Sequence, residues 1–237
     1  MKSILCNASS GYGVARRAGK RLPALIFMLF AAAVAVSAAS GARARDLTVT
    51  ALGDSLTAGY GLEQGQGLVP QLQAWLDAQG RAVRVVNAGV SGDTTSGGLQ
   101  RLDWVLADRP DAMIVALGGN DLLRGIDPAL SRANLDAILT RLEAEGIPAL
   151  LVGLPAPGNY GPAFQSAFAA LFPDLAAAHD TLLLPDLLAP IAAARDAGTP
   201  VTDLMQGDMI HPNARGVALV VQALGPQVET LLDRVAP

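Results

Sequence analysis

The sequence predicts an α/β fold, a three-layer α/β/α sandwich with a central, mostly parallel sheet of about five strands. Three observations support this prediction. The chain has 237 residues, of which 51% are hydrophobic and 16% charged, enough apolar material for one substantial core. Short β-rich runs alternate with helical patterns, which is typical of a parallel sheet with helices on both faces. One run, residues 112–117, is apolar throughout, as in strands buried on both faces.

The predicted elements follow one another without an internal repeat or a long linker. Strands are expected over residues 47–52, 83–86, 112–117, 149–154 and 182–184. Helices are expected over residues 68–79, 97–107, 131–146, 163–179 and 216–234. The helix of residues 131–146 has the clearest apolar spacing, and Ser131 is its expected N-cap. Residues 45–237 are therefore predicted to form a single domain.

Residues 1–44 have the composition of a secretory signal peptide. They contain six cations and no acid, and an apolar run over residues 22–36 is followed by small residues. The alternative is an uncleaved membrane anchor, but a spanning helix needs about 20 residues. We therefore expect Sec export, cleavage after Ala38 or Ala44, no stable membrane span afterwards, and a periplasmic or secreted mature protein.

The charge and the reactive side chains of residues 45–237 exclude several classes of function. This part holds 11 arginines, no lysine and 21 acids, a formal charge of −10, so nucleic acid is not an expected partner. The single cysteine, Cys6, lies in the predicted signal peptide, so no disulfide or thiol nucleophile is expected. The two histidines, His179 and His211, are not in a zinc-binding pattern, and no metal or other cofactor is expected.

Polar segments follow three of the predicted strands, where ligands bind in open α/β sheets. These segments are Gly-Asp-Ser-Leu at residues 53–56, Ser-Gly-Asp-Thr at 91–94 and Gly-Gly-Asn-Asp at 118–121. A fourth, Asp-Met-Ile-His, occupies residues 208–211. Together they supply a hydroxyl, a flexible glycine, an amide and a histidine with an acid three residues before it. These are the parts of a Ser-His-Asp acyl-transfer site with an oxyanion hole.

Each segment alone also has a purely structural interpretation. Ser55 could be a helix cap, Gly92 a turn glycine, and Asn120 part of an Asx turn. Asp54 and Asp93 are expected to accept loop hydrogen bonds rather than to act as acids or bases. The joint occurrence of the four segments, three of them at successive strand ends, favours the catalytic interpretation.

The four segments, in this order over residues 47–213, resemble the blocks of the GDSL, or SGNH, hydrolase family. Residues 53–60, 91–94, 118–125 and 159–161 resemble its branch of periplasmic thioesterases, lysophospholipases and arylesterases most closely. The resemblance implies a flavodoxin-like three-layer fold. The Gly-x-Ser-x-Gly elbow of α/β-hydrolases is absent, because Thr57 stands in place of the second glycine.

The resemblance also implies a role for each matched residue. Ser55 is the expected nucleophile, His211 the general base and then acid, and Asp208 the acid that orients His211. The backbone N–H groups of Ser55 and Gly92 and the side-chain amide of Asn120 are the expected oxyanion hole.

The loop of residues 154–161 departs from the pattern of this branch, because it carries extra proline and glycine. The resemblance implies that Asn159 and Tyr160 in this loop bind substrate. Because of the departure, no acyl-chain preference is carried over.

The implied function is that of a serine esterase for small or lipid-like substrates, acting on carboxylic ester, thioester or lysophospholipid bonds. A carbohydrate O-acetyl esterase or acetyltransferase is the alternative, since it uses the same groups. Sugar sites usually present aromatic platforms, whereas residues 45–237 contain seven aromatics, three of them in an expected core stripe at positions 164, 168 and 172. A nucleotide-binding module is not favoured either, because residues 45–237 lack the glycine-rich motifs that such modules use. No oligomeric state is predicted.

Overall fold

The structure, a computed structural model, describes residues 47–156 and 158–235. The predicted signal peptide and Cys6 therefore lie outside the described residues. Within these ranges five parallel strands form one sheet in the order β2-β1-β3-β4-β5. The strands are β1 (Leu47–Gly53), β2 (Val83–Gly89), β3 (Ala112–Ala116), β4 (Ala149–Val152) and β5 (Leu182–Leu184).

Helices follow every strand, and some are short. They are α1 (Ser55–Ala58), α2 (Leu68–Ala78), α3 (Thr95–Gln100), α4 (Leu102–Leu106), α5 (Gly119–Leu123), α6 (Pro128–Ala144), α7 (Pro162–Ala178), α8 (Ala189–Asp196) and α9 (Ala214–Leu232). Short 3₁₀ turns occur at Gly158–Tyr160 and Val201–Asp203. Among these helices, none combines the length and the apolar character that a membrane span requires.

Both faces of the sheet are buried, because alternate residues of each strand point to opposite sides. On one face Val49 and Leu150 belong to a core that includes residues of α2, α8 and α9. On the other face Met113 and Leu151 belong to a core that includes residues of α4, α6 and α7. The predicted α/β/α sandwich with a five-stranded parallel sheet is confirmed.

The first three strands end at the same level of the sheet. Gly53, the last residue of β1, pairs with Gly89 of β2 on one side and with Ala116 of β3 on the other. Because all three strands are parallel, the loops that follow them leave the sheet side by side. This register brings the segments that begin at residues 54, 90 and 117 to one edge.

Two predicted helices differ from the observed ones by a break or by more than two residues at an end. The single helix expected over residues 97–107 is broken at Arg101 into α3 and α4, where the backbone leaves the helical region at φ −101°, ψ 5°. The helix expected to begin at Ser131 begins at Pro128, with Asp127 as the N-cap that accepts from the Ala129 N–H. Proline suits the first helical position because its missing N–H would have no partner there.

Candidate active site

Ser55, His211 and Asp208 form one hydrogen-bonded chain. His211 Nε2 lies 2.8 Å from Ser55 Oγ, and His211 Nδ1 lies 2.6 Å from Asp208 Oδ2. An ionised carboxylate can only accept, so the proton of the neutral ring resides on Nδ1. The other nitrogen then accepts the hydrogen bond of the serine hydroxyl. The structure thus brings together the three residues of the predicted triad.

The loop that carries Asp208 and His211 also holds the aspartate in its ionised form. The backbone N–H groups of His211 and Ile210 donate to Asp208 Oδ1 over 3.0 and 2.9 Å. These bonds, with the His211 side-chain bond, lower the pKa of Asp208 from its ordinary 3.8 to about 2, the His211 backbone bond contributing most. Asp208 is therefore an anion at neutral pH.

Ser55 is placed at the sheet edge by a close turn between β1 and α1. Asp54, not Ser55, caps the helix by accepting from the Leu56 N–H over 3.0 Å, so the helix-cap interpretation of Ser55 is wrong. A Cβ atom at Gly53 would collide with the Thr57 side chain. The glycine therefore lets α1 fold back against the end of β1.

Asn120 and Gly92 lie on the wall of the same pocket as Ser55. Asn120 Nδ2 donates to the backbone carbonyl of Asp93 over 2.9 Å, and makes a longer 3.4 Å contact with Asp54 Oδ2. Gly92 has φ +87°, a conformation that favours glycine. The residues of the predicted oxyanion hole are thus adjacent to the serine.

Asp54 and Asp93 accept hydrogen bonds, as the sequence predicts for both. Asp54 is only 3% exposed, and burial raises its pKa, against the lowering effects of the Leu56 N–H and of His211. Asp93 accepts from Arg101 Nε over 2.6 Å. Neither carboxylate belongs to the hydrogen-bonded chain of the serine and the histidine.

A cavity of about 370 Å³ opens beside the Ser55 hydroxyl. Its wall contains the polar groups described above and a larger set of apolar side chains. These are Leu56, Leu122, Leu123, Leu154, Pro155, Leu188 and Ile210, with Tyr60. The cavity can therefore hold an apolar group next to the Ser55 hydroxyl.

The structure places neither Asn159 nor Tyr160 on the wall of this cavity. Both are exposed, and the Tyr160 hydroxyl donates to the backbone carbonyl of Leu123 over 3.0 Å. Tyr160 thus contacts the backbone of a residue that lines the cavity. That the two residues bind substrate stays a prediction.

The side chains of Tyr60 and Gln206, for which no role is predicted, support His211. The Tyr60 ring lies 4.8 Å from the His211 ring, centroid to centroid. Gln206 Nε2 donates to the carbonyls of Tyr60 and Pro212 over 2.8 and 3.0 Å, and so joins the α1 turn to the histidine loop. The contacts of Tyr60 with Gln206 and His211 join distant parts of the chain, and no local sequence signal indicates them.

The buried carboxylate of Asp121 links the segment that carries Asn120 to α3 and α6. Asp121, which is 1% exposed, accepts from the Thr95 N–H at 2.8 Å, the Thr95 hydroxyl at 2.6 Å and the Ser131 hydroxyl at 2.9 Å. Asn134 donates to the Thr95 hydroxyl over 3.0 Å. This network fixes Asp121, and with it the backbone of Asn120, against α3 and α6.

The second histidine has different partners. His179, the C-cap of α7, lies 2.9 Å from Asp136 and 3.4 Å from Glu143, both on α6. It therefore joins two helices. Among residues 47–156 and 158–235, no group of three or more His, Cys, Asp or Glu side chains is arranged to hold a metal ion.

The chain is similar to known ester hydrolases. Residues 51–219 match the GDSL-like lipase/acylhydrolase family. The Esterase TesA of Pseudomonas aeruginosa is 39% identical over 186 residues, 78% of this chain and 89% of TesA. The Thioesterase 1/protease 1/lysophospholipase L1 of Escherichia coli K12 is 34% identical over 187 residues, 78% of this chain and 85% of the relative. The crystal structure of AlinE4, an SGNH-hydrolase family esterase, matches with a TM-score of 0.64 at 43% identity, covering 79% of this chain and 97% of AlinE4.

Proposed function

The chain belongs to the GDSL-like lipase/acylhydrolase family and hydrolyses ester bonds, and we propose that it does so with a Ser55-His211-Asp208 triad. The observation that carries this proposal is the continuous chain of hydrogen bonds from Asp208 through His211 to Ser55. A serine hydroxyl is a weak nucleophile until a base takes its proton, and His211 is in position to do so.

In the first half of the reaction Ser55 Oγ attacks the carbonyl carbon of the ester, while His211 Nε2 takes the hydroxyl proton. Both ring nitrogens then carry protons, and the Asp208 carboxylate stabilises the positive ring. When the tetrahedral intermediate collapses, His211 gives its proton to the leaving alcohol or thiol. The acyl group remains on Ser55.

The negative charge of the tetrahedral intermediate needs hydrogen-bond donors that are already in place. The proposed donors are the backbone N–H groups of Ser55 and Gly92 and the side-chain amide of Asn120. One Asn120 N–H is held by the Asp93 carbonyl, and the other makes only the long 3.4 Å contact with Asp54. We propose that the substrate oxygen replaces that weaker contact.

In the second half of the reaction water replaces the alcohol. His211 takes a proton from water, the resulting hydroxide attacks the acyl carbon, and the carboxylic acid leaves as Ser55 recovers its proton. The same donors stabilise the second tetrahedral intermediate. The enzyme returns to its starting state without a cofactor.

The apolar wall of the cavity favours carboxylic esters with an apolar acyl group, and thioesters or lysophospholipids fit the same chemistry. The alternative, a carbohydrate O-acetyl esterase or acetyltransferase, has less support. Tyr60 is the one tyrosine, tryptophan or phenylalanine that lines the cavity within the described chain. Sugar rings usually need a larger aromatic surface.

We also propose that residues 1–44 are a signal peptide, that residues 45–237 form the mature domain, and that this domain is periplasmic or secreted. The cation-rich and then apolar composition of residues 1–44 supports this proposal. Mass spectrometry of the native protein tests it. A mature N-terminus at residue 39 or 45 is expected, and an intact Met1 would contradict it.

The experiment that tests the proposed reaction compares Ser55→Ala with Ser96→Ala on a panel of substrates. The panel contains p-nitrophenyl esters of increasing chain length, an acyl thioester, a lysophospholipid and an acetylated sugar. We expect Ser55→Ala to lose activity on every substrate and Ser96→Ala to keep it, because Ser96 lies outside the cavity. Activity confined to the acetylated sugar would favour the carbohydrate alternative.

A further inference from the structure

One arginine side chain connects two of the loops that carry the proposed oxyanion hole. Arg101 Nε donates to Asp93 Oδ2 over 2.6 Å, and Arg101 Nη2 donates to the backbone carbonyl of Gly53 over 2.9 Å. Both charged side chains are largely buried, at 18% and 17% exposure. Gly53 lies two residues before Ser55, and Asp93 directly follows Gly92. The Arg101 guanidinium therefore holds the end of β1 against the loop that carries Gly92.

The third segment of the proposed oxyanion hole, which carries Asn120, is held through the backbone of Asp93. The Asp93 carbonyl accepts from Asn120 Nδ2 over 2.9 Å. A path of hydrogen bonds thus runs from Gly53 through Arg101 and Asp93 to the amide of Asn120. We propose that Arg101 is a positioning residue that holds Asn120 and the Gly92 backbone in place for the oxyanion. This inference rests on the proposed function, because it assigns a role within that site.

The chemistry of the guanidinium suits this position. Its planar group donates in several fixed directions and stays charged at every working pH, so one side chain can hold a carboxylate and a carbonyl at once. A lysine ammonium is a compact point charge that does not reproduce this fork. Arg101→Lys is therefore expected to keep the charge and to lose part of the geometry.

The backbone at Arg101 is irregular. The backbone leaves the helical region at this residue, where the sequence pattern predicts a continuous helix. Arg101 Nη1 is also buried and, within the described residues, has no hydrogen-bond partner. A buried donor without a partner carries a free-energy cost. If Arg101 holds the end of β1 and the loop of Gly92 together, this role explains why its guanidinium is buried despite that cost.

Kinetics of Arg101→Met and Arg101→Lys, each made alone and together with Asn120→Ala, test the inference. A misplacement of about 1 Å can cost about 10²-fold in rate, so we expect Arg101→Met to lower kcat by about 10- to 100-fold with little change in KM. Arg101→Lys should retain an intermediate kcat. In the Asn120→Ala background, Arg101→Met should cost only about threefold more, because one of the two groups it positions, the Asn120 amide, is gone and only the Gly92 N–H is left to misplace. Arg132→Met is the matched control, since its ion pair with Asp174 is exposed.

Equal fold-losses in the two backgrounds would overturn the inference, as would a change in KM alone. If Arg101→Met fails to fold, Asp93→Asn takes its place, because it removes the ion pair and keeps the Asp93 carbonyl. The same non-additive loss with Asn120→Ala is then expected. Ser55→Ala is measured in parallel. An active Ser55→Ala would refute the proposed function, whereas an inactive Ser55→Ala with additive Arg101 and Asn120 losses would refute only the role of Arg101.

Discussion

His211 Nε2 lies 2.8 Å from Ser55 Oγ, although the two residues are 156 positions apart in the sequence. The contact requires two separate loops to meet at one edge of the sheet. Gln206 fixes their relative position, because its amide donates to the carbonyls of Tyr60 and Pro212. Since Asp208 holds the other ring nitrogen, the histidine presents a lone pair to the serine.

The first prediction concerns Asp208. Asp208→Asn should lower kcat by about 10⁴-fold, because an asparagine no longer fixes the ring proton on Nδ1. Steady-state hydrolysis of a p-nitrophenyl ester measures the effect. Asp203→Asn is the control, since among residues 47–156 and 158–235 this exposed carboxylate has one ionic partner, Arg215 at 3.7 Å. A loss in Asp208→Asn that is no larger than in the control would mean that Asp208 does not orient the base.

The second prediction concerns Asn120. Asn120→Ala should lower kcat by about 10²–10³-fold with little change in KM, because the amide acts mainly in the transition state. Asn120→Asp should be at least as damaging, since it places a carboxylate against the developing oxyanion. A change in KM alone would make Asn120 a substrate-binding residue. Circular dichroism of each variant separates these outcomes from a loss of fold.

The third prediction uses the raised pKa of Asp54, which results chiefly from burial. Because the folded-state pKa lies above the unfolded value, this group's contribution to stability is full at low pH and is lost as the pH rises through the folded pKa. Asp54→Asn removes the charge and keeps a side chain that can cap α1. Its unfolding midpoint relative to wild type should therefore increase from pH 4 to pH 8. A constant difference over this range would contradict the prediction.

The fourth prediction concerns the buried network around Asp121. Asp121→Ala leaves three buried donors of Thr95 and Ser131 without their acceptor, and each such group costs about 1–3 kcal/mol. We expect a loss in the free energy of unfolding of at least about 3 kcal/mol in urea titrations. Asp127→Ala, which removes only an exposed N-cap bond, should cost about 1 kcal/mol. Equal losses in the two variants would show that the network contributes little.

The strands and the four polar segments could be predicted from the sequence because their signals are local. Apolar runs mark the strands, and in a parallel sheet the residues after them meet at one edge. The start of α6 differs from the prediction, because the Asp127-Pro128 pair is a stronger start signal than Ser131. The break between α3 and α4 could not be predicted, because it accompanies contacts of Arg101 with Asp93 and with Gly53, which lies 48 positions away.

In the candidate site, too, some residues have local sequence signals and others are placed by long-range contacts. The resemblance named Ser55, Asp208 and His211, and the structure joins them in one hydrogen-bonded chain. It did not indicate the contact between the Tyr60 and His211 rings, which are tilted at 42° to each other, because Tyr60 is far from the histidine in sequence. The position of Tyr160 also depends on the fold, since its hydroxyl donates to a backbone carbonyl of α5. Motifs identify reacting groups, whereas the residues that hold them depend on long-range packing.

The most direct test of the account is covalent labelling with a serine-directed fluorophosphonate, followed by peptide mass spectrometry. Ser91 is an internal control, because it lines the same cavity as Ser55 but lies outside the hydrogen-bonded chain. We predict that the probe labels Ser55 and not Ser91, and that His211→Ala greatly slows the labelling. Labelling of Ser91 or another residue, or undiminished labelling in His211→Ala, would contradict the assignment of Ser55 as a nucleophile activated by His211.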